Sequence, residues 1–542
     1  MKHLYSKCVL AVAIVVLLAV FGFVNVLQDV HASDPVYDLV ITNGRVIDGT
    51  GNPWFRADVG IKDGRVTRIG HIDPLQAGKT LDAHGQIVAP GFIDVHTHVE
   101  GIYSQPDAEN FVRMGVTSLV TGNCGSSSTD IGNFLGRIKG QPLAVNVATL
   151  IAHGSVRSKI MGLDNRAPTP EELQKMEAMV DKGMKDGAVG LSTGLIYVPG
   201  TFAKTDEIVA LARVAARNHG LYATHMRNEG SEVVAAIRES IAIGEQAGLP
   251  VEISHFKISS PRLWGQSNVT LGLVRDARQR GLSVTVDQYA YTASSTSLDI
   301  RLPDWVLVGG REEGKKRLAD KSMRDRAARE MKEGLKKTGF KDYEFAVVAS
   351  YAPNPAFNGK SIKQIAKEAK GNNDLKTQIE QVLEMYEAGG AGMVYHGMSE
   401  ADVEQIMREP FTMIASDSSV RRFNEGVPHP RGYGNNARVL GHYVRDLRIV
   451  SLEDAIRKMT SLPAQTFNLR DRGLLREGYA ADIVIFDDSA ISDRATFDRP
   501  HQYAAGVSFV LVNGQAVLSN GEMTSQRPGV ALRGPGWAGV EQ

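Results

Sequence analysis

The residues with the clearest chemical potential are several histidines, one cysteine and one aspartate, each of which follows a short apolar run. Zinc binds imidazole nitrogen, thiolate and carboxylate together, usually with four ligands, and a catalytic site keeps one position for water. Any one histidine taken alone would more often be a surface or core residue. Their shared position after apolar runs favours a metal site, for which the candidate ligands are His96, His98, Cys124, His225 and His255.

The spacing of the first pair and the setting of the aspartate add detail. His96 and His98 are two residues apart, and residues i and i+2 of a strand share a face, so both rings are expected to point to the same side. Asp417 follows the last of the apolar runs. A carboxylate beside a cation stays ionised and could accept a proton from water, which makes Asp417 the candidate general base. An Asx turn or a helix cap is the alternative interpretation.

Eight apolar runs, each followed by a helical stretch, predict the elements that position these residues. Eight strand–helix units in one segment, residues 91–466, indicate an α/β fold with a (β/α)₈ TIM-type barrel, in which catalytic groups lie where strands end at the C-terminal face. The predicted strands are 92–95, 118–121, 144–149, 187–191, 221–224, 251–254, 283–286 and 411–415.

The remaining segments predict two further units. Residues 36–90 plus 467–530 are expected to form a small β-sandwich domain built from both terminal segments. It would contain two β-runs joined by Asn43–Gly44 and two joined by Asn513–Gly514, each dipeptide being suited to a type I′ turn. Between about 305 and 395, Lys/Glu-rich helical patterns predict a helical insertion into the barrel, with its charge on a solvated face.

The composition narrows the class of partner. The chain has 542 residues, 61 basic and 61 acidic, with 43% hydrophobic and 7% aromatic residues. A balanced charge and few aromatic residues give no reason to expect a nucleic-acid partner. Small neutral or anionic molecules remain as substrates.

The N-terminus resembles a secretory signal. Lys2 and Lys7 lie at the start of an apolar run over residues 8–27, and Val30–His31–Ala32 resembles a cleavage site. Residues 1–32 are therefore expected to be a signal peptide, and the protein to be exported to the periplasm or the exterior. An uncleaved membrane anchor is the alternative, and only then is a membrane partner expected.

Of the two cysteines, Cys8 lies in this segment, which leaves Cys124 alone in the mature chain. A buried apolar cysteine is the alternative for Cys124.

The motif PGFIDVHTH at Pro90–His98 resembles the first-strand signature of the amidohydrolase superfamily. The wider set of motifs, over residues 37–530, resembles the D-aminoacylases, which are N-acyl-D-amino-acid deacylases. These motifs are TGNCG at 121–125, GLSTGLIY at 190–197, ATHMRNE at 223–229, ISHFK at 253–257 and HPR at 429–431.

The resemblance implies roles for individual residues. The fourth strand lacks the lysine that bridges two metals in many amidohydrolases, and the resembled family uses a thiolate, which maps onto Cys124 with His225 and His255 as ligands of one tightly bound Zn²⁺. His96, His98 and Asp417 would surround a second, weaker zinc position. By resemblance, the carboxylate of the substrate would be bound by Arg431 with hydrogen bonds from Tyr289 and Ser295. Lys257, two residues past a ligand, is a further candidate for substrate binding, and Arg227, Glu229 and His153 are candidates for orienting the ligands.

The function that these residues imply is zinc-dependent hydrolysis of the amide bond of N-acyl-D-amino acids, which yields a carboxylate and a D-amino acid. Two alternatives remain open at this point. One is an amidohydrolase that acts on cyclic amides or dipeptides. The other is a non-catalytic amidohydrolase-like scaffold, which would be expected to have lost metal ligands.

Overall fold

The computed structural model describes residues 35–539. The predicted signal peptide or membrane anchor at residues 1–32 lies outside this range. Within it, no helix combines the length and the apolar character that crossing a bilayer requires.

The described chain alternates strands with helices through most of its length. The strands are β1 Leu39–Val46, β2 Phe55–Lys62, β3 Arg65–Gly70, β4 Thr80–Asp82, β5 Ile87–Pro90, β6 Phe92–Asp94, β7 Val116–Thr121, β8 Asn146–Thr149, β9 Ile151–Ala152, β10 Gly190–Gly194, β11 Leu221–His225, β12 Val251–Ile253, β13 Val284–Gln288, β14 Ser294–Ser297, β15 Ala346–Ser350, β16 Gly392–Tyr395, β17 Thr412–Ile414, β18 Ile483–Phe486, β19 Val507–Val512, β20 Gln515–Ser519 and β21 Glu522–Met523.

The α-helices are α1 Glu109–Val112, α2 Ile131–Gly136, α3 His153–Met161, α4 Pro170–Lys185, α5 Thr205–Arg217, α6 Val233–Ala247, α7 Ser267–Gln279, α8 Asp304–Leu307, α9 Arg311–Ala319, α10 Lys321–Thr338, α11 Ile362–Lys370, α12 Leu375–Glu387, α13 Glu400–Met407, α14 Arg431–Arg438, α15 Leu452–Met459 and α16 Ser461–Thr466. A π-helix at Val439–Asp446 continues α14.

Both ends of the chain contribute to one nine-stranded sheet. Its order is β21-β20-β19-β18-β5-β1-β2-β3, with β4 paired to β1. Apolar side chains from both terminal segments share one buried cluster, which includes Ile41, Val59, Ile483 and Leu511. The predicted union of the two termini is therefore seen as a single mixed sheet, and a sandwich of two sheets is not confirmed.

The two Asn-Gly dipeptides have different roles. Asn513 and Gly514 join β19 to β20 with φ of 47° and 79°, the positive values that a type I′ turn needs at both central positions. Asn43 and Gly44 instead lie inside β1, where the pairing with β2 shifts register. The turn predicted there is wrong. A Cβ on Gly44 would lie 2.5 Å from Val88 Cγ2, so the glycine permits close packing of β1 rather than a reversal of the chain.

The strands of the middle segment form two parallel sheets, ordered β6-β7-β8 and β17-β13-β12-β11-β10-β9. The sheets approach each other twice. Val189, directly before β10, donates its N–H to Thr149 O of β8 (2.9 Å), and Thr97 and Ser418 form a parallel bridge beyond β6 and β17. The fold is thus mixed α/β with parallel sheets, but the hydrogen bonding among the described strands is divided in two rather than closed into one barrel.

The parallel sheets enclose an apolar core and bear helices on their outer side. The core residues include Ile93, Val120, Ala148, Ala223 and Met413. The start of α4 illustrates how the sequence fixes a helix end. Thr169 caps α4 in a reciprocal capping box with Glu172, and proline occupies the first helical position.

The segment predicted as a helical insertion contains helices α8–α12 and also strands β15 and β16. These two strands form an antiparallel three-stranded sheet with β14, which precedes the segment. The buried apolar residues of this sheet and these helices form a cluster separate from the main core, with members such as Val306, Met331 and Tyr343. The structure thus adds two strands to the helices predicted for residues 305–395.

Candidate metal centre

Cys124, His225 and His255 meet at the carboxyl ends of β7, β11 and β12. The Cys124 Sγ lies 3.6 Å from His225 Nδ1 and 3.6 Å from His255 Nε2. Tetrahedral zinc with bonds of about 2.0–2.3 Å separates neighbouring sulfur and nitrogen ligands by about 3.5 Å. The three donor atoms therefore have the chemistry and the spacing of a zinc site.

The backbone at these positions is held in an uncommon conformation. Cys124, His255 and Asp417 have φ of 52°, 36° and 50°, in the left-handed region that residues other than glycine rarely adopt. The chain is also closely packed at Cys124, because a Cβ on Gly194 would lie 2.1 Å from Cys124 O. Strained backbone of this kind is concentrated at functional sites, where the surrounding structure fixes it.

The environment of Cys124 favours the thiolate, which is the form that binds metals. Burial alone would raise the pKa of the thiol. The neighbouring His96, His225 and His255 outweigh this effect and hold the pKa well below its usual value.

A second group of donors adjoins the first. His96 Nε2 lies 3.2 Å from Cys124 Sγ and 3.6 Å from Asp417 Oδ1, and His98 Nε2 lies 3.2 Å from the same aspartate oxygen. The potential ligand atoms of His96, His98 and Cys124 lie within 4.8 Å of one another, as do those of His96, His255 and Asp417. Asp287 orients both groups, because it contacts His96 Nδ1 at 3.0 Å and accepts the backbone N–H of His255 at 2.9 Å.

Asp417 is paired with Arg431 at the edge of this group. Arg431 Nη1 lies 2.9 Å from Asp417 Oδ2, and both side chains are largely buried. Burial opposes the ionisation of Asp417, but Arg431 and His96 hold its pKa well below the usual range. The carboxylate is therefore ionised and able to accept a proton.

The motif His429–Pro430–Arg431 explains how the arginine is placed. His429 Nδ1 accepts the backbone N–H of Arg431 (3.0 Å), and its Nε2 contacts Ala293 O (2.9 Å). The guanidinium stacks on Tyr289, with Cζ 4.5 Å from the ring centroid. Arg431 Nη2 also donates to the backbone oxygen of Ser295 at 3.3 Å, so the predicted carboxylate-binding residues lie together.

Lys257 and Glu229 form a buried pair behind the first metal group. Lys257 Nζ lies 2.5 Å from Glu229 Oε1, and the same oxygen lies 2.8 Å from His255 Nδ1. The second Glu229 oxygen lies 3.8 Å from His225 Nε2. Glu229 thus contacts two candidate ligands and one predicted substrate-binding residue.

The structure brings together all ten predicted catalytic, metal-binding and substrate-binding residues. It adds further residues to the site, and it places two of the three candidate orienting residues away from the ligands. Glu229, considered only as an orienting residue, and Asp287, which follows a predicted strand directly, contact the candidate ligands. Tyr197 stands with its ring centroid 4.8 Å from that of His225. His153 instead bonds Glu207 at 2.8 Å, and Arg227 pairs with Glu239 at 3.0 Å, so neither contacts a candidate ligand.

A cavity of about 1510 Å³ opens over the metal-binding residues and reaches the inserted segment. His98, Cys124, His225, His255 and Asp417 are among the residues that line it. It is also lined by residues of the insertion, among them Met331, Tyr343 and Tyr395.

Comparison with known proteins agrees with this site. Residues 79–331 and 376–518 match the amidohydrolase family, and residues 22–87 match the N-terminal domain of the urease alpha-subunit. A D-aminoacylase of Alcaligenes xylosoxydans xylosoxydans is 35% identical over 521 residues, which cover 92% of this chain and 97% of that protein. The chain belongs to the D-aminoacylase family of amidohydrolases.

Other members of the D-aminoacylase family give the same picture. An N-acyl-D-glutamate deacylase of the same organism is 37% identical over 519 residues, with 92% of this chain and 96% of that protein covered. The solved N-acyl-D-glutamate deacylase of Bordetella bronchiseptica is complexed with zinc and a phosphonate inhibitor that mimics the tetrahedral intermediate. It superimposes with a TM-score of 0.78 at 34% identity and covers 92% of this chain and 99% of its own.

Proposed function

We propose that this protein hydrolyses the amide bond of N-acyl-D-amino acids in a zinc-dependent reaction and releases a carboxylate and a D-amino acid. The observation that carries the proposal is the placement of the Cys124 thiolate at 3.6 Å from both His225 Nδ1 and His255 Nε2. Relatives of the protein that have nearly its length are named as deacylases of N-acyl-D-amino acids, and the structure of one was solved with zinc.

The residues around this group divide the chemistry among them. When bound by Cys124, His225 and His255, zinc supplies a Lewis acid that polarises the amide carbonyl and activates water. Asp417, which Arg431 keeps ionised, accepts a proton from the attacking water through its carboxylate. The same carboxyl group then returns the proton to the departing nitrogen.

Arg431 is suited to bind the carboxylate that the substrate carries next to its nitrogen. Its buried Nε has no hydrogen-bond acceptor among the described residues. A buried donor of this kind calls for a partner, and the planar guanidinium matches a carboxylate. Tyr289 and Ser295 lie beside it and complete the proposed carboxylate site. Lys257 is proposed to assist at this site while Glu229 holds its ammonium group.

The second donor group supports a weaker second zinc position. His96, His98 and Asp417 share it with Cys124, whose sulfur lies 3.2 Å from His96 Nε2. Occupancy of both positions would draw Asp417 toward a metal and away from its role as a base. One tightly bound zinc ion is therefore the proposed working state.

We also infer that the two parallel sheets are parts of one TIM-type barrel. The bridge between Thr97 and Ser418, and the bond from Val189 N–H to Thr149 O, join the sheets at both of their edges. A crystal structure with β6 and β17 separated by another element would contradict this interpretation.

A panel of N-acetyl-D- and N-acetyl-L-amino acids tests the proposed activity. The protein is stripped of metal with a chelator and then assayed with and without one equivalent of zinc. Zinc-dependent release of D-amino acids only is the expected result. Release of L-amino acids only would contradict it, and hydrolysis of hydantoins or dipeptides in their place would favour the cyclic-amide or dipeptide alternative. Absence of both hydrolysis and bound metal would favour the scaffold.

Export of the protein is a separate proposal, supported by Lys2, Lys7 and the apolar run that follows them. Cell fractionation with N-terminal sequencing tests it. A mature chain that begins after Ala32 in the exported fraction is expected. An intact N-terminus in the membrane fraction would support the anchor, and one in the cytoplasm would contradict export.

A further inference from the structure

The Cys124 loop, residues 122–127, is held in place where it leaves β7. The N–H of Gly122 donates to Glu100 Oε1 at 3.0 Å, and the oxygen of Gly122 accepts from Ser192 Oγ at 2.5 Å. Gly122 and Cys124 have φ of 80° and 52°, in the left-handed region that most residues avoid. A loop in this conformation depends on contacts with its surroundings, so the position of the Cys124 sulfur depends on them as well.

Ser155 holds the other side of the Cys124 loop. Its N–H donates at 3.1 Å to the oxygen of Gly125, the residue after Cys124, and its Oγ accepts the N–H of Ser127 at 3.0 Å. The two segments are closely packed here, because a Cβ on Gly154 would lie 2.5 Å from Gly125 O. Ser155 therefore contacts the part of the loop that directly follows the ligand, with one donor and one acceptor.

Ser155 lies on α3, and a buried charge cluster anchors this helix. Glu207, on α5, lies 2.8 Å from His153 Nε2 through one carboxylate oxygen and accepts from Arg157 Nη1 at 2.6 Å through the other. His153 and Arg157 are fully buried, and Glu207 is 6% exposed. Because His153 and Arg157 are four residues apart, both contacts lie on one face of α3. The cluster thus fixes the turn of the helix that carries Ser155.

Glu207 is ionised in this cluster. Burial alone would raise the pKa of Glu207, but His153 and Arg157 hold it below its usual range. Burying such charges adds little net stability relative to apolar packing, because their desolvation offsets their attraction. Their hydrogen bonds are directional, however, and set the orientation of α3 relative to α5. Glu207, His153 and Arg157 are not among the residues that line the cavity, so they do not contact a substrate there.

We infer that Ser155 is a positioning residue for the metal ligand Cys124, and that Glu207 acts through Ser155 by anchoring α3. This inference rests on the proposed zinc site, and it extends that site to residues that contact neither the metal ligands nor the metal. Ser155 and Glu207 contribute to zinc affinity because a ligand already held in its binding geometry loses less conformational entropy when the metal arrives.

Ser155→Ala tests the direct contact. It removes the hydroxyl that accepts the Ser127 N–H and leaves the charge cluster intact. Competition with a chromophoric chelator, in metal-free full-length protein, is expected to show about tenfold weaker zinc binding, the low end of the range for residues that orient a metal ligand. With one equivalent of Co²⁺, the sulfur-to-cobalt charge-transfer band is expected to be weaker or shifted. A purely structural role of Ser155 in α3 would leave this band unchanged in the folded protein.

Two further variants serve as controls. Ser155→Thr retains the hydroxyl and is expected to bind zinc within about threefold of the wild type. Ser158→Ala removes a hydroxyl one turn further along α3, at an exposed position of the cavity lining, and is expected to leave both zinc affinity and the cobalt band unchanged. Equal zinc affinity and equal cobalt bands in Ser155→Ala and Ser158→Ala would overturn the inference. Zinc binding by Ser155→Thr as weak as that by Ser155→Ala would contradict the role of the hydroxyl.

Glu207→Gln tests the anchor. It removes the charge with little change of shape and is expected to weaken zinc binding by about tenfold. When Glu207→Gln is combined with Ser155→Ala, the loss of affinity is expected to be smaller than the product of the two single losses, because residues of one network are not additive. A loss equal to that product would mean that Glu207 acts independently of Ser155, and would overturn this part of the inference. If the unpaired Arg157 prevents Glu207→Gln from folding, Arg157→Met is added to every Glu207→Gln protein and the same comparison applies.

Failure of the inference and failure of the zinc site give different results. A wild-type protein that shows the charge-transfer band, together with an unchanged Ser155→Ala variant, contradicts only the roles of Ser155 and Glu207. A wild-type protein that binds Co²⁺ without this band contradicts the zinc site at Cys124 itself.

Discussion

Replacing Glu229 with glutamine should weaken both the fold and the metal site. Glu229 is 8% exposed and neutralises Lys257, which is 3% exposed, across 2.5 Å. Removing one partner of a buried pair leaves an uncompensated charge, which costs about 3–5 kcal/mol. The same change removes the carboxylate that contacts His255 Nδ1 at 2.8 Å, and loss of such an orienting partner lowers metal affinity about 10- to 100-fold.

Two measurements check this prediction. Urea unfolding of the metal-free protein gives the free energy of unfolding, and competition with a chromophoric chelator gives the zinc affinity. Glu333→Gln changes an exposed residue of the same cavity wall and should shift unfolding by no more than about 0.5 kcal/mol. Glu229→Gln combined with Lys257→Met removes both charges and should recover most of the stability but not the zinc affinity. If Glu229→Gln alone unfolds within about 1 kcal/mol of the wild type and binds zinc equally well, the reasoning about this pair is wrong.

Three further changes test other parts of the site and the fold. Gly194→Ala places a Cβ 2.1 Å from Cys124 O, so the chelator competition should show at least about tenfold weaker zinc binding; unchanged affinity would contradict the role given to this packing. Asp417→Asn should retain zinc in elemental analysis but lower kcat by about 10²- to 10⁴-fold, and near-normal turnover would exclude Asp417 as the base. Burial lowers the pKa of Lys458 from 10.5 to about 8 in the fold, so the neutral amine is favoured there. Burying the charged ammonium group therefore destabilises the fold fully below pH 8, and this destabilisation is lost as the pH rises from 8 to 10.5. Relative to Lys458→Met, the wild type should gain up to about 3 kcal/mol of unfolding free energy over that range, and a flat difference would contradict the shift.

The sequence was informative where a residue type and its position on a strand carried the same signal. His225 ends β11, and His96, Cys124 and Asp417 each follow a predicted strand, so the candidate ligands and the base could be named before their distances were known. The strand bounds were less well predicted. β10 begins at Gly190, three residues after the predicted start, because the predicted strand opened on Gly187 and Ala188, whose small side chains give little hydrophobic pattern.

The parts of the fold that the sequence did not reveal depend on contacts between distant segments. β14 reads Ser-Ser-Thr-Ser, without the apolar alternation of a half-buried strand, and it is recognisable only through its pairing with β16. Asn43–Gly44 has the local chemistry of a turn, but the packing of β1 against Val88 makes it an irregularity within a strand. Local preferences do not decide such cases.

In the site, too, the sequence predicted individual residues, whereas the contacts between distant residues appear only in the structure. The sequence predicted Arg431 and Asp417 in separate roles, and the structure adds that they form a buried ion pair at 2.9 Å. Glu229 and Asp287 acquire their importance from the ligands that they contact. Glu229 contacts His255, 26 residues away in the chain, and Asp287 contacts His96, 191 residues away.

The most direct test of the account is whether the Cys124 thiolate binds the metal. Metal-free protein is loaded with one equivalent of Co²⁺, which can replace zinc in a site of this kind, and its absorption spectrum is recorded beside that of Cys124→Ser. The account predicts an intense sulfur-to-cobalt charge-transfer band in the wild type, with the visible bands of a tetrahedral site, and loss of the charge-transfer band in the variant. A wild-type spectrum without that band, from a protein that binds cobalt and hydrolyses N-acetyl-D-amino acids, would contradict the proposed metal centre.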